Sequence, residues 1–310
     1  MKTMKEYRLV FMGTPSIAAK VFEALINYGF NFVGLVAQED KPVGRKAILE
    51  PVPTKAIALK YGIPVFQPHR IRKDFDFLKD LKPDLILTMA YGQIVPQTVL
   101  DIPTYGCLNL HGSILPSYRG AAPIQRAIIN GEEKTGITLM EMIDKMDAGR
   151  MFATKEVVID KDDNYSSLCD KLADAAIDVT INNLLNYLNG NLQGASQDES
   201  LVTFADKILP EDEKLDLTKP SCEFINYIRG LSDEPGAYLY IDGKKLKIFK
   251  AHKVSDQIGE VGKIDINKTI KLQLIDGLIE LDIVQLEGKK KMDGKSFANG
   301  NKSLSGIILK

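Results

Sequence analysis

An asparagine, a histidine and an aspartate are the residues of this sequence whose types and spacing could do chemistry. Asn109 and His111 stand two apart in the run Gly106-Cys107-Leu108-Asn109-Leu110-His111. On a strand, side chains at i and i+2 share a face, so the amide and the imidazole point the same way. Both can donate a hydrogen bond to one carbonyl oxygen as it becomes an oxyanion. The stretches Gly112-Ser113-Ile114-Leu115-Pro116 and Arg119-Gly120-Ala121-Ala122-Pro123 are too rich in turn formers for regular structure. They read as a loop that offers backbone groups to a ligand. A strand-end histidine is also a common satisfied structural residue, and the residues by themselves leave both readings open. Asp147, in Asp144-Lys145-Met146-Asp147-Ala148-Gly149, is the second candidate. Read alone it is a turn aspartate capping its own backbone. Beside His111 it would favour the cationic imidazole.

Such residues need a sheet edge to position them, and the first half of the chain supplies one. Apolar runs at 9–12, 31–37, 64–66, 84–89 and 106–111 read as strands. They alternate with helix-period segments at 17–28, 53–61 and 71–81. This rhythm predicts an α/β fold with a doubly wound, mostly parallel sheet. Ligands in such sheets bind beyond the carboxyl ends of the strands, which is where Asn109 and His111 fall. After a helix at 121–130, two strands are expected at 136–142 and 151–159, with a turn at 147–149, then a long helix at 166–188. Residues 190–199 are rich in Gly, Asn, Gln and Ser and read as linker. Beyond them, Asp242-Gly243 and Asp276-Gly277 separate short strand-like runs, which is hairpin chemistry and suggests a small C-terminal β-barrel. The expected division is a catalytic domain at 1–189, a linker at 190–206 and a β-barrel domain at 207–310.

Composition narrows the class further. A chain of 310 residues with 45% hydrophobic and 26% charged residues has room for two folded domains, which excludes disorder, collagen and coiled coil. Lys and Arg number 40 against 41 Asp and Glu, for a net charge of −1. That argues against a nonspecific nucleic-acid coat and permits a local basic face. Two lysine clusters could form one: Lys244, Lys245, Lys247, Lys250 and Lys253, and Lys289, Lys290, Lys291, Lys295 and Lys302. Each also reads as an ordinary solvated face. Three scattered cysteines, Cys107, Cys169 and Cys222, make neither a disulfide framework nor a zinc site. With no apolar stretch long enough to span a bilayer and no apolar leader near Met1, a soluble cytoplasmic protein is expected.

At this point the sequence resembles the folate-dependent formyltransferase family. The pattern Asn109-x-His111-x-Ser113-x-Leu115-Pro116 with a downstream Asp147 is that family's core. Phe11-Met12-Gly13-Thr14-Pro15, Lys41-Pro42-Val43-Gly44-Arg45, Ala90-Tyr91-Gly92-Gln93-Ile94-Val95-Pro96 and Thr203-Phe204-Ala205-Asp206-Lys207 extend the likeness nearly end to end. Arg119-Gly120-Ala121-Ala122-Pro123-Ile124-Gln125 and the C-terminal part narrow it to the methionyl-tRNA formyltransferases.

The resemblance implies a Rossmann-like catalytic domain, an OB-like C-terminal barrel and a monomer. It implies transfer of a formyl group from 10-formyltetrahydrofolate to the amino group of methionine on initiator tRNA. Asn109, His111 and Asp147 match the catalytic trio. Ser113, Ile114, Leu115 and Pro116 match a folate-contacting loop, and Met89, Ala90, Tyr91 and Gly92 should line the pterin side. Arg45 matches an insertion that grips the acceptor end of the tRNA, although Lys46-Ala47-Ile48-Leu49 is less basic than the usual run. Lys244, Lys245, Lys247, Lys289, Lys290 and Lys291 are candidates for phosphate contact. No metal is implied, because the donor is already an activated formyl amide. Four other readings remain: a sugar-nucleotide formyltransferase, a glycinamide ribonucleotide formyltransferase, a noncatalytic tRNA- or folate-binding module, and a dinucleotide-binding dehydrogenase. The glycinamide enzyme should end near Leu188, whereas this chain runs on for about 120 residues. The dehydrogenase reading is weak, because Gly13-Thr14-Pro15-Ser16 lacks a Gly-x-Gly-x-x-Gly turn.

Overall fold

In the computed structural model, which describes residues 3–43 and 48–309, helices and strands alternate through the first half of the chain. In chain order they are β1 (Leu9–Gly13), α1 (Ser16–Tyr28), β2 (Phe32–Val36), α2 (Pro53–Lys60), β3 (Val65–Phe66), α3 (Asp76–Leu81), β4 (Leu85–Met89), α4 (Gln97–Leu100) and β5 (Cys107–His111). Then come α5 (Pro123–Ile129), β6 (Lys134–Glu141), β7 (Met151–Val158), α6 (Tyr165–Leu188) and α7 (Ser221–Leu231). The chain ends with β8 (Ala237–Ile241), β9 (Lys244–Ser255), β10 (Ile264–Ile266), β11 (Ile270–Leu274), β12 (Gly277–Leu286), β13 (Met292–Asp293) and α8 (Gly294–Gly300).

The chain folds into two compact units. The first comprises Met1–Gly120, Thr135–Val158 and Cys169–Phe204. The second comprises Ala121–Lys134, Ile159–Leu168 and Ala205–Lys310. In the first, seven strands lie in the order β7-β6-β5-β4-β1-β2-β3. The pairs β1/β2, β1/β4, β2/β3 and β4/β5 are parallel, and β6 joins β5 antiparallel. Every residue of β1 and of β4 is buried, as expected of parallel strands covered on both faces. One cover is α1, which buries Ala18, Ala19, Val21, Phe22 and Leu25 and stacks Phe22 on Phe11 at 4.8 Å between ring centres. It stops at Gly29, whose φ of 110° suits a residue without a Cβ and lets its N–H reach the carbonyls of Leu25 and Ile26.

The helix expected at 71–81 is shorter. The N–H groups of Lys73 and Asp74 turn back to the carbonyl of Arg70, and only Asp76–Leu81 is helical. Residues 190–204, polar in composition, belong to the first unit and bridge to β7 through Met151 and Ala195.

The second unit is a curled antiparallel sheet, a half-barrel, in the order β8-β9-β12-β11-β10, with β13 paired to β12. Leu239, Ile241, Leu246, Ile248, Leu272, Ile279 and Leu281 fill its concave side together with Phe224, Ile228 and Leu231 of α7 and Phe297 of α8. The β8–β9 turn has positive φ at Asp242 (47°) and Gly243 (72°), the conformation an Asp-Gly hairpin favours. The second Asp-Gly behaves differently. Leu274 pairs with Gly277, so the loop is Ile275-Asp276, and the Asp276 carboxylate takes the N–H and hydroxyl of Ser221 at 2.8 Å each. Asp276 thereby anchors the start of α7. Neither α7 nor α8 was expected, although Phe224, Ile228 and Leu231 sit at helical spacing.

Candidate active site

Gly13, Met89 and His111 end three adjacent parallel strands at one edge of the sheet. Gly13 pairs with Met89, and a Cβ at Gly13 would lie 2.7 Å from the Met89 carbonyl oxygen, so the close approach requires glycine. From this edge the Met89–Gly92 segment leaves with Ala90 at φ 50° and Gly92 at φ 90°. Ala90 and Gly92 are exposed, whereas Met89 and Tyr91 are buried. Thr14 Oγ1 and Gln38 Nε2 each donate to the Tyr91 carbonyl at 3.1 Å and hold the bend. The Tyr91 side chain lies in the core with Val10, Met12 and Val99, and burial pushes its phenol up. Its hydroxyl and the neighbouring Thr88 Oγ1 are buried without a hydrogen-bond partner among the described residues.

Asn109 and His111 occupy the carboxyl end of β5, opposite Met140 and Thr138 of β6. The Asn109 carboxamide is half-buried and makes no hydrogen bond among the described residues, so its N–H groups are open to a ligand. His111 is 5% exposed. Its Nε2 lies 2.9 Å from the Tyr118 carbonyl oxygen. Its Nδ1 lies 3.6 Å from Asp147 Oδ2, too long for a hydrogen bond, and the contact becomes an ion pair when the ring is protonated. Of the three residues singled out in the sequence, His111 and Asp147 thus meet at the carboxyl edge, with Asn109 on the same face of the strand.

The loop after β5 is folded back on itself. Ser113 is fully buried, and its hydroxyl donates to the Ser117 carbonyl at 2.7 Å. Thr138 Oγ1 donates to the Ser113 carbonyl at 2.7 Å and accepts the Leu115 N–H at 3.2 Å. Leu115 is buried, while Ile114 and Pro116 are half-exposed and give the loop an apolar face.

Asp147 adopts φ 49°, a left-handed conformation that costs a residue with a Cβ about 1 kcal/mol or more. Its Oδ2 accepts the Gly120 N–H at 2.9 Å, so the Arg119-Gly120 backbone serves Asp147. Gln197 Nε2 donates to the carbonyls of Asp147 and Gly149 at 2.8 Å each. Gln197 Oε1 takes two bonds from Arg119, at 3.0 Å from Nε and 2.8 Å from Nη2. Arg119 is 1% exposed and also pairs with Glu199 at 2.7 Å. Lys145, on the Asp147 loop, reaches the other Glu199 oxygen at 3.0 Å. These bonds hold the Glu199 carboxyl down at about 2, with the Arg119 hydrogen bond the largest cause and Lys145 next. Sequence reasoning missed Gln197 and Glu199, because polar residues in a Gly/Asn/Ser-rich stretch carry no periodic signal. Of the five described non-glycine residues with positive φ, Ala90, Tyr118 and Asp147 border this edge, and stored strain of that kind gathers at functional sites.

The lysine candidates lie in the second unit. Leu246 pairs with Leu286, and the Glu287 N–H donates to the Lys245 carbonyl at 2.8 Å. The start of the first lysine cluster and the start of the second therefore share one end of the sheet. Within this patch Lys244, Lys289 and Lys290 are exposed, and their ammonium groups pair with no acid among the described residues. Lys245 lies 4.0 Å from the Tyr238 ring centre. Lys247 donates to the Pro235 carbonyl, and Lys291 pairs with Asp233 over the Phe249 ring. Arg45 lies outside the described residues.

Two family models match the chain: Formyl transferase over residues 7–184, and Formyl transferase, C-terminal domain, over residues 207–302. A methionyl-tRNA formyltransferase of Bacillus pumilus is 44% identical over 303 residues, covering 94% of each chain. One of Malacoplasma penetrans is 40% identical over 311 residues, covering 99% of this chain and 98% of that one. Among solved structures, HypX from Aquifex aeolicus in complex with tetrahydrofolic acid superposes with a TM-score of 0.67 at 17% identity, covering 94% of this chain and 46% of that one. That likeness speaks to the fold alone. The near-complete alignments at 40% and above, spanning both matched halves and the Asn109–His111–Asp147 edge, carry the assignment further: the chain belongs to the methionyl-tRNA formyltransferase family.

Proposed function

We propose that this chain transfers the formyl group of 10-formyltetrahydrofolate to the amino group of methionine on initiator methionyl-tRNA. The observation that carries the reading is the meeting of His111 and Asp147, 3.6 Å apart, beside the open amide of Asn109. The folate is assigned to this edge. The exposed residues Ala90 and Gly92 offer backbone groups to the polar rim of a flat heterocycle, and Ile114 and Pro116 offer it an apolar wall.

The roles follow from the hydrogen-bond accounting. The methionyl amine, neutral, attacks the formyl carbon. A C–N bond forms and the carbonyl π pair moves to oxygen. Asn109 and the Nδ1–H of cationic His111 donate to that oxyanion. Nδ1 is free for this because 3.6 Å leaves Asp147 an electrostatic partner rather than a bonded one. Asp147 Oδ2 is held by Gly120, while Oδ1 has no partner among the described residues. Oδ1, directly or through a water, takes the proton of the ammonium centre. Collapse of the intermediate breaks the bond to the folate N10, which takes up that proton.

Catalysis is assigned to residues 1–189 and the holding of tRNA to residues 207–310, where Lys244, Lys289 and Lys290 present unpaired charge. The test offers a labelled formyl donor to methionyl initiator tRNA, methionyl elongator tRNA and an amino-sugar nucleotide. Label on the initiator tRNA is expected. Label on the sugar alone overturns the acceptor.

A further inference from the structure

Residues 185–206 lie between the two matched family models, yet they reach the reacting edge. We propose that Gln197 is a positioning residue for Asp147, and that the Arg119–Gln197 pair is the clamp that holds the Asp147 loop in its working shape. The inference rests on the catalytic reading of Asp147 given above.

The carboxamide of Gln197 has only one workable orientation. Arg119 can only donate, so it fixes the amide oxygen. The carbonyls of Asp147 and Gly149 can only accept, so they fix the amide nitrogen. Both halves of the group are satisfied, and neither half survives a flip. Arg119 in turn is 1% exposed, which leaves its guanidinium little freedom to move. The two gripped carbonyls flank Ala148 and hold the chain as it leaves the left-handed turn at Asp147. A turn that costs conformational energy persists where neighbours over-determine it, and here two carbonyl bonds and the Gly120 N–H do so. Lys145 adds a fourth tie, from the same loop to Glu199. Gln197 touches no reacting atom in this arrangement. Its effect passes through the backbone of Asp147 to the carboxylate.

Loss of a distant grip of this kind can misplace a catalytic group by about 1 Å, which costs up to about 100-fold in rate. The test is a double-mutant cycle on the full-length protein with Gln197→Met, which keeps the side-chain length without the hydrogen bonds, and Asp147→Asn. Gln197→Met is expected to lower kcat by about 10-fold to 100-fold, with the KM for the folate donor nearly unchanged. In the Asp147→Asn background the same change is expected to lower kcat no further. A second conservative variant, Gln197→His, retains a donor and an acceptor and is expected to recover part of the loss. Circular dichroism melts accompany each variant, and should Gln197→Met not fold, the cycle runs with Gln197→His. Independent, multiplicative losses in the two backgrounds overturn the positioning role, as does a normal kcat in Gln197→Met beside an inactive Asp147→Asn. A normal kcat in Asp147→Asn overturns the catalytic reading of Asp147 and the clamp with it.

Discussion

The imidazole Nε2 of His111 lies 2.9 Å from the main-chain carbonyl oxygen of Tyr118. A carbonyl can only accept, so Nε2 carries the hydrogen in either charge state of the ring. The nitrogen left for the substrate is Nδ1, on the side of Asp147. Tyr118 achieves this from a left-handed φ of 62°, which turns its carbonyl towards the ring. The expected signature is a ¹⁵N spectrum in which the neutral ring of His111 carries its hydrogen on Nε2. A deprotonated Nε2 in the neutral ring would remove the basis for giving Nδ1 the oxyanion.

Asn109 is expected to act on the transition state alone. Its amide has no partner among the described residues, so truncation leaves no buried group orphaned and disturbs the fold little. Asn109→Ala should lower kcat by about 10²–10³, the usual cost of one oxyanion donor. Binding of tRNA should be nearly intact. Steady-state kinetics beside a binding isotherm check both, and near-normal turnover would remove Asn109 from the mechanism.

The pair Asn109 and His111 was legible because strand geometry turns a spacing of two into a shared face. The parallel sheet was legible for the same local reason, in its alternation of apolar runs and helical periods. Gln197 was not. It sits 50 residues along the chain from Asp147, and a hydrogen bond across that distance leaves no periodicity in either segment. Asp276-Gly277 misled at a finer level, because the carboxylate was needed at the start of α7 and the loop shifted by one residue. The free or engaged state of a lysine was equally hidden. Lys253 pairs with Asp256 and Asp276, and only the folded chain brings Asp276 to it.

Gly149 is expected to be intolerant of any side chain. A Cβ there would lie 2.0 Å from the Glu141 carbonyl oxygen and 2.8 Å from its carbon, both backbone atoms that cannot swing aside. Gly149 is also one of the two residues gripped by Gln197. Gly149→Ala should therefore cost about 1–3 kcal/mol in stability through overpacking and lower kcat by shifting the Asp147 turn. Thermal melts and turnover numbers test the pair of effects. A variant with both unchanged would mean the loop has room that the backbone contact denies.

Glu199 gives the first unit a dependence on acid. Its carboxyl titrates at about 2 in the folded chain against an ordinary 4.5, through the bonds from Arg119 and then Lys145. Between those values the folded state binds fewer protons than the unfolded state. The stabilisation is thus fully present above about 4.5 and is lost as pH falls towards about 2. The effect should be small, because the side chain is 60% exposed and water screens the pair. Glu199→Gln keeps a hydrogen-bond acceptor for Arg119 and removes the titration. The expected result is a shallower fall of Tm between about pH 5 and about pH 3 than in the unaltered protein. An identical fall would place the acid sensitivity elsewhere.

The tRNA reading of the half-barrel turns on which lysines are free. Lys244, Lys289 and Lys290 are exposed at one end of the sheet, where Leu246 pairs with Leu286. Lys253 is already neutralised by Asp256 at 2.7 Å and Asp276 at 3.4 Å. A lysine that meets a phosphate releases counterions, and each contact adds about 0.7 to 0.9 to the slope of log K against log[salt]. Replacing Lys244, Lys289 and Lys290 together by Gln should therefore flatten the salt dependence of tRNA binding by about 2 units. Lys253→Gln should leave it nearly unchanged, because that ammonium has two carboxylates to satisfy in place of a phosphate. With tRNA saturating, kcat should be the same in all of these variants, since none of the lysines belongs to the Asn109–His111–Asp147 edge. Binding measured from low to moderate salt separates the outcomes: a slope unaltered by the triple replacement would take the phosphate backbone away from this end of the sheet.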